Sequence, residues 1–250
     1  SAVEEHLHLP PEDVALRLQG GPLNGAVIAT QIKYLQRGRR KLPQYYAARC
    51  LLPPLAYEQC SSERAAALKQ ERYAGRRCLD LTLGLGVDAA AFARTFDEVV
   101  ALEADATLAD VARHNFGLLG RANIEVRTGR AEAFLPAAGD FDLIYLAPAR
   151  RDGHNRKIIT LRDTAPDVTA LLPHLRRTTV LVKTSPMYDI TAGCQALGVV
   201  SRVSVVSLDG ECKELLFELG GAEAPLREAV IVRQGGRFNL AAPLDRKSVV

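Results

Sequence analysis

From residue 77 onward the chain alternates short apolar runs with stretches of helical period, whereas the first seventy residues show only the helical period. The runs at 77–82, 98–103, 123–127, 141–146 and 179–183 read as strands. Between the second and third, Leu108, Val111, Phe116 and Leu119 share one helical face over 107–119. Residues 163–175 and 190–197 read as further helices. Such alternation predicts a parallel sheet covered by helices on both faces. Two more runs, 200–207 and 214–219, are separated only by residues 209–213 and predict an antiparallel pair. The expected fold class is α/β, with a Rossmann-like sheet of seven strands.

In front of this sheet, residues 11–20 and 25–37 predict helices, the second followed by a basic turn at Gly38. Leu42-Pro43 and Pro53-Pro54 break the pattern. Ser61-Ser62-Glu63 then opens a helix to about Tyr73, with serine as the cap and an acidic first turn. The organisation expected is an N-terminal helical subdomain over 1–72 and the sheet domain over 73–220. Residues 221–250 hold one more strand (229–233) and a polar stretch, read as a tail or the start of a C-terminal domain.

Composition narrows this little. The net charge of +3 does not by itself demand nucleic acid. Basic residues do cluster, at Lys33, Arg37, Arg39, Arg40 and Lys41, and again at Arg150, Arg151, Arg156 and Lys157. Each cluster reads as a solvated face or a phosphate contact. The five cysteines are dispersed, with no Cys-x-x-Cys pair and no metal spacing, so no metal is expected. No run approaches the roughly 20 apolar residues of a membrane span, and Val3-Glu4-Glu5-His6 does not resemble an export signal. A cytoplasmic location with reduced thiols is expected, without membrane contact.

The candidate chemistry sits in residues 78–88, Cys-Leu-Asp-Leu-Thr-Leu-Gly-Leu-Gly-Val-Asp. An apolar strand runs into a turn at Gly84 and Gly86, and a helix begins. Glycines at such a turn let backbone approach a ligand and aim N–H groups at it. The second strand ends at Glu103, whose carboxylate can accept both hydroxyls of a ribose. An adenosine-bearing cofactor is therefore expected. Gly84-Leu85-Gly86-Val87-Asp88-Ala89 also fits a dinucleotide fingerprint, and a purely structural turn is a further reading. Asp80 inside the first strand and the long helical lead disfavour the dinucleotide. With Asp80 towards the cofactor's ammonium and Glu103 on the ribose, S-adenosylmethionine (SAM) is the preferred cofactor.

Several blocks together extend the picture. They are Glu58-Gln59-Cys60-Ser61-Ser62-Glu63, the loop from Asp80 to Asp88, Arg113-His114-Asn115-Phe116, Pro148-Ala149-Arg150-Arg151-Asp152, Lys183-Thr184-Ser185-Pro186-Met187 and Glu211-Cys212-Lys213-Glu214-Leu215. In this order, over about residues 25–220, they resemble bacterial class I SAM-dependent methyltransferases that carry a C-terminal THUMP-like domain, a domain largely absent from these 250 residues. The resemblance implies a SAM site made by Gln59, Ser62, Glu63, Asp80, Thr82, Gly84, Gly86, Asp88 and Glu103, completed after the third strand by Ala131 and Glu132. Members are similar to RNA guanine methyltransferases, so RNA is the implied substrate, methylated at a base nitrogen.

Three positions depart from that group's pattern. Leu83 stands where glycine is expected, which predicts a stiffer or displaced loop. Arg130 stands where an acidic residue would meet the adenine amino group. Ala147, before Pro148, replaces an aspartate that would accept amine hydrogens. Methyl transfer needs an acceptor oriented at attack distance and no metal. The catalytic candidates left are Pro148, Arg150, Lys183 and Ser185, with Tyr188 nearby. A catalytically weakened module that binds RNA or a partner is the alternative. His114 is expected on the helix surface and Cys212 buried in the sheet.

Overall fold

The computed structural model describes residues 1–135, 139–148, 160–175, 178–220, 225–233 and 236–243. Nine strands are present among the described residues, in one sheet of order β3-β2-β1-β4-β5-β7-β6-β8-β9. They are β1 Gly75–Asp80, β2 Phe96–Glu103, β3 Ile124–Thr128, β4 Leu143–Leu146, β5 Thr179–Thr184, β6 Arg202–Leu208, β7 Glu211–Leu219, β8 Leu226–Arg233 and β9 Gly236–Pro243. The five strands from β3 to β5 run parallel, and β7 pairs antiparallel with β5 and β6. The seven strands expected for the sheet are thus in place, the further strand expected at 229–233 is β8, and β8 and β9 lengthen the same sheet. β8 runs parallel to β6, and β9 closes on β8 as an antiparallel edge.

Alternation along the strands sorts the core into two faces. Leu79, Val100, Leu102, Ile144, Leu146, Val180 and Val182 point to one side. Cys78, Val99, Ala101, Leu143, Tyr145 and Leu181 point to the other. Near-continuous apolar runs follow because both faces are covered. The hairpin between β6 and β7 turns on Asp209 and Gly210, both at positive φ (53° and 87°), which matches the right-handed twist of the strands.

Six helices precede the sheet: α1 Ala2–His6, α2 Pro11–Arg17, α3 Gly25–Lys41, α4 Pro43–Ala47, α5 Pro54–Gln59 and α6 Glu63–Gln70. Helix α3 runs through Gly38, where a turn was expected. There a Cβ would sit 3.3 Å from Leu52 Cδ1, so the glycine serves close packing inside a helix. The remaining helices are α7 Val87–Phe92, α8 Ala106–Leu118, α9 Ala131–Phe134, α10 Val168–Leu171 and α11 Ile190–Leu197. The helix expected over 163–175 shrinks to α10 and a short 3-10 turn, because Pro166 cannot extend a helix N-terminally.

The helical lead packs on the sheet domain around the glycine loop. Leu85 and Val87 belong to the same apolar cluster as Leu35, Tyr45, Leu52 and Tyr57. Fully buried Asn115 ties the two parts from α8: its amide oxygen accepts from the Leu51 N–H at 2.8 Å, and its amide nitrogen donates to the Leu51 carbonyl at 2.9 Å.

Candidate active site

A cavity of about 320 Å³ opens at the carboxyl ends of β1, β2, β4 and β5. Its wall is the loop from Leu81 to Gly86. Gly84 and Gly86 hold φ of +56° and +81°, and a Cβ on Gly86 would lie 2.4 Å from Phe116 Cζ. Only glycine meets both demands at position 86. The loop closes with Leu83 at its corner. Leu83 donates its N–H to the Leu102 carbonyl (2.9 Å), accepts from the Gly86 N–H (2.9 Å) and buries its side chain.

Glu103 fixes the open side of this loop. One carboxylate oxygen accepts the Gly84 N–H at 2.8 Å and the other accepts the Asp105 N–H at 3.0 Å. Each oxygen keeps a further lone pair for a ligand. Thr82 Oγ1 accepts the Ala147 N–H at 2.6 Å, joining the ends of β1 and β4. Beneath Thr82 lies Asp80, 1% exposed. Its Oδ1 accepts the Thr82 N–H at 2.9 Å, while its Oδ2 is buried without a partner. Burial, helped by the Asp88 charge and opposed by the Thr82 hydrogen bond, pushes the Asp80 carboxyl up to about 7.

A charged network lies against the cavity floor. Asp88 Oδ2 accepts hydrogen bonds from Ser61 Oγ and Tyr145 Oη, each at 2.8 Å. Lys69 Nζ lies 3.1 Å from Asp88 Oδ1 and 2.5 Å from Glu214 Oε1, with its side chain fully buried. Lys183 Nζ donates to Ser61 Oγ at 2.8 Å and lies 3.5 Å from Asp88 Oδ2. Burial alone would raise the Asp88 carboxyl, but Lys69, Lys183 and the two hydroxyl donors hold it below the usual carboxylate range. Burial, aided by the Asp88 charge, lifts the Tyr145 phenol well above its usual value.

Most of the expected site residues meet at this cavity. Gln59, Thr82, Gly84, Gly86, Asp88, Glu103, Ala131, Glu132 and Lys183 line it, as do Arg130 and Ala147. Others sit elsewhere. Ser62 caps α6 by accepting the Ala65 N–H at 3.2 Å, and its neighbour Ser61 faces the cavity instead. Glu63 turns away to cap α4, accepting the backbone N–H groups of Gln44 (2.8 Å) and Tyr45 (3.3 Å). Ser185 accepts the Met187 N–H at 3.3 Å in a tight turn and is not among the lining residues. Tyr188 packs edge-on against Phe217. Pro148 is buried at the end of β4, outside the lining. Arg150, Arg151, Arg156 and Lys157 lie outside the described residues.

His114 is exposed, as expected. Cys212 is exposed too, contrary to expectation, because the hairpin end of β7 projects past the core. Sequence reading left Lys69, Tyr145 and Glu214 out of the site and gave Ser61 only as part of the turn ahead of α6. Only Ser61 had a local signal, as the first of two serines at a helix start. Among the described residues no cluster of three or more His, Cys, Asp or Glu can hold a metal, and no helix is long and apolar enough to cross a membrane.

No family model matches the chain. It is 31% identical over 115 residues to a protein-L-isoaspartate O-methyltransferase of Bradyrhizobium sp. (strain ORS 278), covering 45% of this chain and 54% of that one. It is 41% identical over 76 residues to the protein of the same name in Rhodopseudomonas palustris (strain BisB5), covering 30% of this chain and 35% of that one. The chain thus spans about half the length, or less, of the curated relatives it matches. Among solved structures, a proposed methyltransferase from Porphyromonas gingivalis W83 superposes with a TM-score of 0.80 at 28% identity, over 99% of this chain and 65% of that one. With the strand order, this likeness establishes for the chain the Rossmann-like α/β fold of class I methyltransferases.

Proposed function

We propose that the protein is a SAM-dependent methyltransferase acting on RNA at a base nitrogen. The observation that carries the cofactor is the joined pair of Gly84 and Glu103 at the mouth of a cavity of about 320 Å³. That volume falls among small-molecule sites. SAM fits the groups present. Glu103 offers free lone pairs to a ribose, and Ala131 and Glu132 line the cavity on the same side. When bound, SAM supplies an electrophilic methyl group on a sulfonium. The chain's own part is to bind, exclude water and orient an acceptor near the ends of β4 and β5. RNA is the substrate implied by the resemblance of the ordered sequence blocks to the THUMP-like group.

The curated relatives favour a second reading for the substrate, since both are named for a protein acceptor. A third, a weakened binding module, draws on Ala147 and Arg130. Calorimetric titration with SAM, its demethylated product and NAD tests the cofactor. Labelled methyl transfer to total RNA and to total protein, with mapping of the product, tests the substrate. Binding of NAD in preference to SAM would sink the whole reading, and label in protein alone would sink the RNA assignment.

A further inference from the structure

We propose that the acceptor is an oxo-base of RNA, a guanine or uracil, held through its carbonyl oxygen by Lys183 and methylated on the adjacent ring nitrogen. The inference rests on the RNA methyltransferase reading above and narrows it.

The cavity crosses the sheet edge from β3 to β5. Glu103, Gly129, Ala131 and Glu132 occupy one end, and Ala147 and Lys183 the other. Leu146 and Val182 are paired in the parallel register, so the residues that follow them, Ala147 and Lys183, emerge side by side. With the nucleoside end assigned to Glu103, the acceptor belongs at Ala147 and Lys183.

What is offered there is a donor. Ala147 has no polar side-chain atom, and its N–H is already given to Thr82 Oγ1 at 2.6 Å. An exocyclic amine would find no side-chain acceptor for its hydrogens on that residue. Lys183 carries three protons on its ammonium. One goes to Ser61 Oγ at 2.8 Å, and Asp88 lies at 3.5 Å. The side chain is 8% exposed and lines the cavity, so a proton is left for a ligand.

The charges around Lys183 favour this use. Asp88 on α7 faces both Lys183 and Lys69 of α6, and Glu214 on β7 pairs with Lys69. Tyr145 on β4 donates to Asp88, while Asp80 on β1 and Cys60 after α5 are the further titratable neighbours. Lys69 stands between Asp88 and Glu214, so Lys183 shares the Asp88 charge with a second cation rather than neutralising it alone.

Oxo-bases match such a donor. Their ring N–H stands beside a carbonyl, and loss of that proton spreads negative charge onto the carbonyl oxygen, where an ammonium stabilises it. The ring proton leaves to solvent as the base binds. The nitrogen lone pair then forms the bond to the methyl carbon, and the carbon–sulfur pair returns to sulfur as a neutral thioether. Adenine carries no carbonyl, and cytosine has no ring N–H beside its carbonyl to lose, so neither can place such a charge against Lys183.

The test combines product mapping with binding. The protein is given labelled SAM and oligonucleotides of each base, and the methylated atom is located by mass spectrometry. Label on uracil N3 or guanine N1 is expected. Label on an exocyclic amine overturns this inference while leaving methylation of an RNA base nitrogen intact, and label on a ribose overturns both. No label in any RNA, with SAM bound, overturns both. Independently of turnover, affinity for oligouridylate should rise with pH through the base's own ionisation range. Lys183→Met should abolish that rise and slow transfer by roughly tenfold or more, the factor equivalent to about 1.4 kcal/mol. Lys183→Arg should restore part of both. Circular dichroism and the thermal unfolding midpoint serve as the folding check for each variant. Should the methionine variant fail to fold, the product map of the unaltered protein decides alone.

Discussion

The Glu103 carboxylate and the Gly84 N–H meet at 2.8 Å, so the tip of β2 holds the glycine loop that follows β1. One side chain thereby shapes the cavity and offers itself to a ligand. Glu103→Ala removes charge-assisted hydrogen bonds worth roughly 1.5–3 kcal/mol each. SAM affinity should fall by at least about tenfold. Glu103→Gln, which keeps a neutral acceptor for Gly84, should lie between. Calorimetric titration checks this, and an unchanged affinity in the alanine variant contradicts the assignment.

Glu63 provides the contrast. Its oxygens cap α4 rather than line the main cavity. Glu63→Ala should cost about 1 kcal/mol in urea unfolding, the usual worth of a cap. SAM affinity should be unaltered. A tenfold loss of affinity at unchanged stability would show that the carboxylate reaches the cofactor after all.

Lys69 is vulnerable to substitution because its charged side chain is fully buried. Its removal leaves Asp88 and Glu214 buried with one cation fewer. Breaking a buried ion pair from one side costs about 3–5 kcal/mol. Lys69→Met should therefore lose that much stability in denaturant unfolding. Adding Glu214→Gln should recover part of it. If the two substitutions simply add, the pair is not coupled.

Asp80 sets a pH dependence of definite sign. Its carboxyl is pushed up to about 7 in the folded chain, chiefly by burial, against an ordinary value of 3.8. Between those values the folded state holds the proton and the unfolded state does not, so stability falls as pH rises through the window. Asp88, held below the usual range, acts oppositely and only in acid, where stability is lost as pH falls. Asp80→Asn should flatten the slope between about pH 5 and 7. Unfolding midpoints at several pH values measure it, and an Asn variant that keeps the full slope rules Asp80 out as its source.

How far the sequence carried the description depended on whether a signal was local. The apolar runs of β1 to β7 and the Gly84–Gly86 turn are contiguous, and the structure places them where their pattern indicates. Gly38 misled because a glycine among basic residues resembles a turn, while its purpose is contact with Leu52. Strand β9 was hidden because every residue in it is exposed, so no alternation marks it. Of the two adjacent serines the expected site included Ser62, whereas Ser61 faces the cavity and Ser62 caps α6, since capping and ligand-facing positions differ by a single step of the backbone. Lys69 and Glu214 are far apart along the chain, and each alone reads as an ordinary surface charge.

That last separation has a consequence in time. Lys69 and Glu214 are 145 positions apart, and Asp88 relies on the first of them. Contacts so distant in sequence form late, since a long loop must close before they give any return. A nascent chain can therefore build the glycine loop early. The charge balance beneath it is complete only once β7 has been synthesised and paired with β5. Ligand capture should lag behind compaction during refolding, and the last of the seven central strands to be added is the one that makes the pocket competent.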